Sequence, residues 1–282
     1  MENITKSLTA MVLAVLAAVI YVLGATFRVA AYASVTDVSA ATSQSLIRTA
    51  EWFRFAGGLV ALIAACTAGW QLVERRAWEG VWEVLAAAIG TLLITVGFLI
   101  SATSMAERPA ANIVIGAGFG VWALLLLGRA ARRSLAEQEL RAGGITQPPH
   151  LAVLWLAAAG GVAIFAIGAG FTPDVTSKGL GITFGILQAL GVAIVFGAIA
   201  AAPARGRLLS HALPLVLAGL AVLAAAYLAF AITAGVVFGT GFSVTGLRVG
   251  YSIAIGIQLA AVGVLGWAAW SQVRELAVPP PA

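Results

Sequence analysis

Long, unbroken apolar runs dominate the pattern of this chain. They occur at residues 8–33, 52–73, 80–105, 110–131, 151–172, 179–203, 212–238 and 247–272, separated by short polar or charged segments. An α-helix rises 1.5 Å per residue, so about 20 apolar residues cross the hydrocarbon core of a bilayer. Each run therefore predicts one spanning helix. The whole pattern predicts an all-α polytopic membrane bundle of about eight transmembrane helices. A membrane β-barrel would instead alternate polar and apolar residues over stretches of about ten, and these runs do not.

The interruptions predict the organisation. Residues 34–51 are polar, with Asp37, Ser39, Thr42 and Ser43 among them, and a short helix lying at the interface fits there with Trp52 and Phe53 as anchors. Gly239 to Ser243 reads as an exit loop. The segment 133–149 holds Glu137, Glu139, Arg141, a Gly143-Gly144 pair and a Pro148-Pro149 pair, which reads as a joint between two four-helix halves. The expected division is an N-terminal half at 1–133, a cytoplasmic linker at 134–149, a C-terminal half at 150–276 and a disordered tail at 277–282. Lys6, the first apolar run and Ala31-Tyr32-Ala33 resemble a secretory leader. The run is longer than a leader's apolar core and Arg28 precedes the would-be cut, so residues 8–33 are expected to stay in the protein.

A weak internal repeat supports that expectation. Ile20-Tyr-Val-Leu-Gly-Ala-Thr-Phe27 resembles Ile164-Phe-Ala-Ile-Gly-Ala-Gly-Phe171, and Phe230-Ala-Ile-Thr-Ala-Gly235 and Ile94-Thr-Val-Gly-Phe98 carry related wording. Each segment lies near the outer end of an odd-numbered run, and a basic residue follows at Arg54, Arg108, Lys178 or Arg248. The implied unit is a helical hairpin, repeated about an axis along the membrane normal.

Composition sharpens the membrane reading. Hydrophobic residues make up 61% of the 282 positions, charged residues 10%, and the mean hydropathy is +1.03. A soluble domain needs a surface about a quarter charged. The net charge of +5 does not imply nucleic acid, because the basic residues are scattered between spans rather than gathered on one face. Counted by loop end, ten basic residues fall on one side and six on the other, which predicts both termini in the cytoplasm. Trp70, Trp78, Trp82, Trp155, Trp267 and Trp270 fall near the same inner boundary, and Trp52 near the outer one. Arginine outnumbers lysine fourteen to two, a bias of GC-rich bacterial genomes. The one cysteine, Cys66, has no intrachain disulfide partner.

Chemistry is sparse. The only histidines, His150 and His211, sit at helix ends, so no intramembrane haem ligation or zinc motif is formed. Mid-span lysines, paired mid-span aspartates and phosphate-binding loops are missing as well. No catalytic, cofactor-binding or metal-binding residue is assigned, and no cofactor is expected. Gly116/Gly120, Gly181/Gly185 and Gly235/Gly239 have the GxxxG spacing of close helix packing. Glu79 and Glu83 share a helix face, with Arg75 and Arg76 as the nearby cations.

Two groups of residues are candidates for a site. Arg28, Glu51 and Arg54 lie within about two turns of the outer boundary, where they can form an ion-pair network or hold an anion. Gln188 and Gln258 each fall ten residues beyond a basic residue, near the midplane, where an amide either bonds a neighbouring helix or lines a polar site. The leading expectation is a non-catalytic membrane protein, either an accessory subunit of a membrane complex or a binder of lipid or another apolar ligand. The alternative is a small-solute transporter or channel with a midplane site near Gln188 and Gln258. Expected partners are membrane lipids and other membrane-protein subunits, and not nucleic acid.

Overall fold

A computed structural model describes residues 2–34, 39–74, 78–104, 106–144, 151–170, 178–201, 212–237 and 243–277. Among them run eight helices: α1 Glu2–Ala33, α2 Ala40–Glu74, α3 Trp78–Thr103, α4 Arg108–Ala142, α5 Leu151–Gly170, α6 Lys178–Ala201, α7 Leu213–Val237 and α8 Val244–Ala277. All eight are long and apolar enough to cross a membrane, and no strand occurs among the described residues. The chain is an all-α membrane bundle.

The helices form a closed ring. Each packs on its neighbours in sequence, α8 returns to α1, and no other pair of helices comes into backbone contact among the described residues. Neighbours run antiparallel. In the α1–α2 pair Gly24 faces Phe53 while Gly57 faces Ala17, and in the α1–α8 pair Tyr32 meets Tyr251 while Ala18 meets Gly266. The α1–α2, α3–α4, α5–α6 and α7–α8 connections therefore share one end, called here the hairpin end. The other is the terminal end. The two four-helix halves expected from sequence meet along α4–α5 and α8–α1.

Small residues line the seams and large ones face outward. Ala25, Ala31, Ala50, Ala111, Ala226 and Ala261 are buried, whereas Leu16, Ile63, Leu124, Val153 and Ile232 are exposed. Water drives the opposite arrangement in soluble proteins. Lipid is as apolar as leucine, so spanning helices gain by close backbone approach instead. A Cβ built on Gly116 would lie 2.6 Å from the Gly170 Cα, and one on Gly191 would lie 2.6 Å from the Gly161 carbonyl oxygen. Gly181 and Gly185 press on Ala234 and Ala231 in the same way, but Gly120 faces open space and Gly235 makes ordinary contact. Gly239 lies outside the described residues. The α1–α8 seam differs from the rest, since its closest glycine contact, Gly266 to Ala18, is an ordinary 3.8 Å.

Two helices run past the apolar boundary. The polar segment from Ala40 is the opening of α2, continuous with the span, and not a separate interfacial helix. The Ser39 hydroxyl accepts the Thr42 backbone N–H at 3.2 Å, an N-cap that starts the helix there. At α4, Pro109 occupies the first turn, where its missing N–H costs nothing. The helix then continues through Glu137 and Arg141 to Ala142, so the first part of the expected linker is helical. Gly144 ends it with φ of +90°, a conformation that favours glycine. Pro148, Pro149, His150, His211 and the Pro279–Pro281 tail lie outside the described residues.

Candidate functional site

The ring geometry aims several even- and odd-helix side chains inward. On α2, Glu51 and Arg54 are one turn apart, and both are buried. Arg54 Nη1 donates to Glu51 Oε1 at 3.2 Å, and Arg28 of α1 brings its Nε to 3.9 Å from the same oxygen. The three residues paired from sequence thus meet at one carboxylate. Gly24 makes this possible: its missing side chain lets the α2 backbone at Ala50 and Arg54 lie against α1.

A fourth charge joins them. Arg108, at the start of α4, is within electrostatic reach of both Arg28 and Glu51. Among the described residues Glu51 is the only acidic group paired with Arg28 or Arg54. Arg28 Nε, Arg54 Nε and Arg108 Nη2 are all buried without a hydrogen-bond acceptor. Arginine does not deprotonate in proteins, so all three side chains are cations.

Aromatic and neutral polar groups extend the cluster toward the middle of the ring. Arg54 Nη2 donates to the Tyr21 hydroxyl at 3.4 Å, and its guanidinium lies 5.2 Å from the Tyr21 ring centroid and 5.6 Å from that of Phe98. Tyr227 of α7 lies within electrostatic reach of Arg54 across the ring. Its hydroxyl accepts Gln258 Nε2 at 3.4 Å, and its ring meets Phe165 of α5 edge-on at 5.2 Å. The α5 and α7 helices, whose backbones do not meet, are thus joined through side chains. Tyr21, Tyr227 and Gln258 lie near the middle of their spans, Leu8–Ala33, Leu213–Val237 and Val244–Ser271.

Gln188 and Gln258 serve different seams. Gln258 is buried and bonds Tyr227 of α7, whereas Gln188 packs its stem on Gly168 of α5. The Thr91 and Thr95 hydroxyls donate to the Ala87 and Thr91 carbonyls of their own helix, both at 2.8 Å. Tyr21 and Tyr227 were not singled out as site residues from sequence, because a tyrosine in an apolar run reads like any other aromatic. Arg108 was read only as a flanking base.

The terminal end holds a second charged group. Glu83 accepts from Arg129 through both Nε, at 2.8 Å, and Nη2, and from Arg132 Nη2 at 2.9 Å. Arg75 and Arg76, the partners expected from sequence, lie outside the described residues; among those described, α4 supplies the cations. Arg129 also lies 5.2 Å above the Trp155 ring. Glu137 accepts the Ala152 backbone N–H at 3.0 Å and so caps the start of α5. Among the described residues no group of three His, Cys, Asp or Glu side chains is placed to hold a metal ion.

No protein-family model, no curated protein and no solved structure matches this chain.

Proposed function

We propose that this chain is a non-catalytic protein of the cell membrane that binds a lipid or another apolar ligand, alone or as an accessory subunit of a membrane complex. The observation that carries this reading is the interior of the ring. It is furnished by aromatic and polar side chains: Arg54 of α2 on Tyr21 of α1, Gln258 of α8 on Tyr227 of α7, and Phe165 of α5 against Tyr227, the last joining two helices whose backbones do not meet. A charged interior costs free energy in a membrane and is kept where it does something. The aromatic surround of Phe98, Phe165 and Tyr227 suits an apolar partner.

Purification in a mild detergent, followed by mass spectrometry, tests this directly. One lipid class enriched over the bulk membrane, or a stoichiometric second subunit, is the expected result. A lipid profile equal to the bulk, no partner, and solute flux in proteoliposomes would establish the transporter reading instead. That alternative draws on Gln258 and Tyr227, whose polar contact lies at mid-span.

The ten-to-six distribution of basic residues supports a cytoplasmic position for both termini, and the arginine bias supports a bacterial source. With Cys66→Ala as background, a cysteine replacing Ser243 is expected to react with an impermeant thiol reagent outside intact cells, and one replacing Ser134 is not. The reverse pattern inverts the orientation. The repeat of hairpins is supported by one shared packing detail: Gly24, Gly97 and Gly168, equivalent in the repeat, each face a backbone carbonyl of the following helix, that of Ala50, Ala111 and Phe184.

A further inference from the structure

We infer that Arg28, Arg54 and Arg108 form a binding site for a phosphate-type oxyanion, the head of the ligand that the ring takes up. The inference rests on the lipid-binding reading above for the source of that head, but not for its chemistry.

Three observations carry it. First, cations are gathered here: Arg28 and Arg54 share the Glu51 carboxylate, and Arg108 is within electrostatic reach of it. Removing one positive charge from water costs several kcal/mol even after relaxation, so enclosed guanidinium groups call for acceptors around them. Second, each arginine keeps a buried donor without an acceptor, at Arg28 Nε, Arg54 Nε and Arg108 Nη2. Nearly all buried polar atoms in proteins are satisfied, and exceptions point to a bound water or ion. The Arg54 side chain is only 9% exposed, so bulk solvent does not fill this role. Third, Glu51 binds Arg54 through Nη1 and leaves its Nε edge free, which holds the guanidinium in place while presenting a donor.

The ligand class follows from this donor set. A carboxylate brings one charge and two oxygens. A phosphate monoester brings about −1.5 to −2 and three acceptor oxygens, which matches the three donors in number and the cationic side chains in charge. Arginine is the side chain best suited to that group, by its planar fork of N–H bonds. The cluster lies beside the α1–α8 seam, since Arg28 is within electrostatic reach of Tyr32 and Tyr251, which stack across that seam with centroids 5.0 Å apart. This seam lacks the tight glycine contacts of the others, so it favours a lipid, whose chains remain in the bilayer while its head reaches the arginines.

The test uses the full chain in a neutral detergent with three probes: dihexanoyl phosphatidic acid, dihexanoylglycerol and inorganic phosphate. Binding is read by calorimetry and by the shift in thermal midpoint. Phosphatidic acid is expected to bind, and Arg108→Gln to weaken it about ten- to a hundredfold, the effect of losing one charge-assisted hydrogen bond. Arg108→Gln leaves the Glu51–Arg54 pair intact, and so serves if Arg54→Gln fails to fold. Phosphate binding with the same dependence on Arg108 shows that a free oxyanion suffices. Its failure to bind alongside phosphatidic acid shows a lipid headgroup site. If dihexanoylglycerol binds as tightly as phosphatidic acid and Arg108→Gln changes neither, the oxyanion site is overturned while the lipid-binding reading stands. If phosphate alone binds, with dependence on Arg108, the oxyanion site stands and the lipid-binding reading fails. If no probe binds, both fail.

Discussion

Glu51 and Glu83 each face a group of arginines, at opposite ends of the ring. Around Glu83 the arginines are abundant in water: the Arg129 and Arg132 side chains are 38% and 50% exposed, and both donate to the carboxylate. Around Glu51 the side chains are enclosed, at 3% exposure for the carboxylate, 9% for Arg54 and 21% for Arg28, and three donors are left without acceptors. The residue types are the same, but the surroundings differ. At the rim, solvent screens the charges and completes their hydrogen bonds, so the group costs little and its pairing is complete. In the interior the same composition is held at a cost, and pairing is incomplete. That contrast separates a structural ion pair from a site.

The largest effect is expected at Glu51. Glu51→Gln removes the only acidic group paired with Arg28 and Arg54 among the described residues, with Arg108 also within electrostatic reach of Arg28. Breaking a buried pair costs about 3–5 kcal/mol, because the remaining charge is uncompensated. Thermal unfolding in detergent should show a midpoint well below wild type. Adding Arg54→Gln to the same chain should recover part of the loss, since contacting residues do not act independently. A Glu51→Gln protein as stable as wild type would erase the distinction between the two clusters.

A smaller effect is expected where the interior cluster grades into neutral groups. Gln258→Leu removes the bond to Tyr227 and should cost about 0.6–2 kcal/mol, as for other interhelical hydrogen bonds in membranes. Tyr227→Phe removes the same bond from the other side, and additionally takes a hydroxyl out of reach of Arg54. If the network runs continuously from Glu51 to Gln258, Glu51→Gln combined with Gln258→Leu should lose less than the sum of the two singles. Full additivity, read from denaturation curves, would confine the charged interior to α1, α2 and α4.

How much of this was legible in the sequence differs between the fold and the cluster. The eight spans were legible because the bilayer imposes one length on every apolar run. Their ends were not, where polar residues prolong a helix beyond the membrane: Ala40 to Glu51 and Arg133 to Ala142 are helical, yet hydropathy marks only where a chain leaves lipid. Arg28, Glu51 and Arg54 stood out because charges so close to a span are rare. Arg108 did not, as a basic residue before an apolar run is what any span carries. The closure of α8 on α1 and the meeting of Tyr227 with Arg54 depend on how helices are arranged around the ring, which no local pattern encodes. The partners of Glu83 were sought among neighbours in sequence, at Arg75 and Arg76, whereas α4 runs antiparallel to α3 and sets Arg129 and Arg132 beside it.

The smallest effect is expected at Glu83, and salt makes it decisive. Exposed ion pairs contribute at most about 1 kcal/mol, because water already stabilises each charge separately. Glu83→Gln leaves Arg129 its position over the Trp155 ring and leaves both guanidinium groups access to solvent. Its cost should therefore stay below about 1 kcal/mol at low ionic strength. At about 0.5 M salt the screening length is shorter than the spacing of most surface charges, so the difference from wild type should vanish. The Glu51→Gln deficit should persist in the same salt, since mobile ions screen buried charges much less. Measuring both variants across one salt series compares the clusters within a single experiment. A Glu83→Gln deficit that survived high salt would place the terminal-end cluster in the same class as the interior one, and the enclosed arginines of the hairpin end would then have no special meaning.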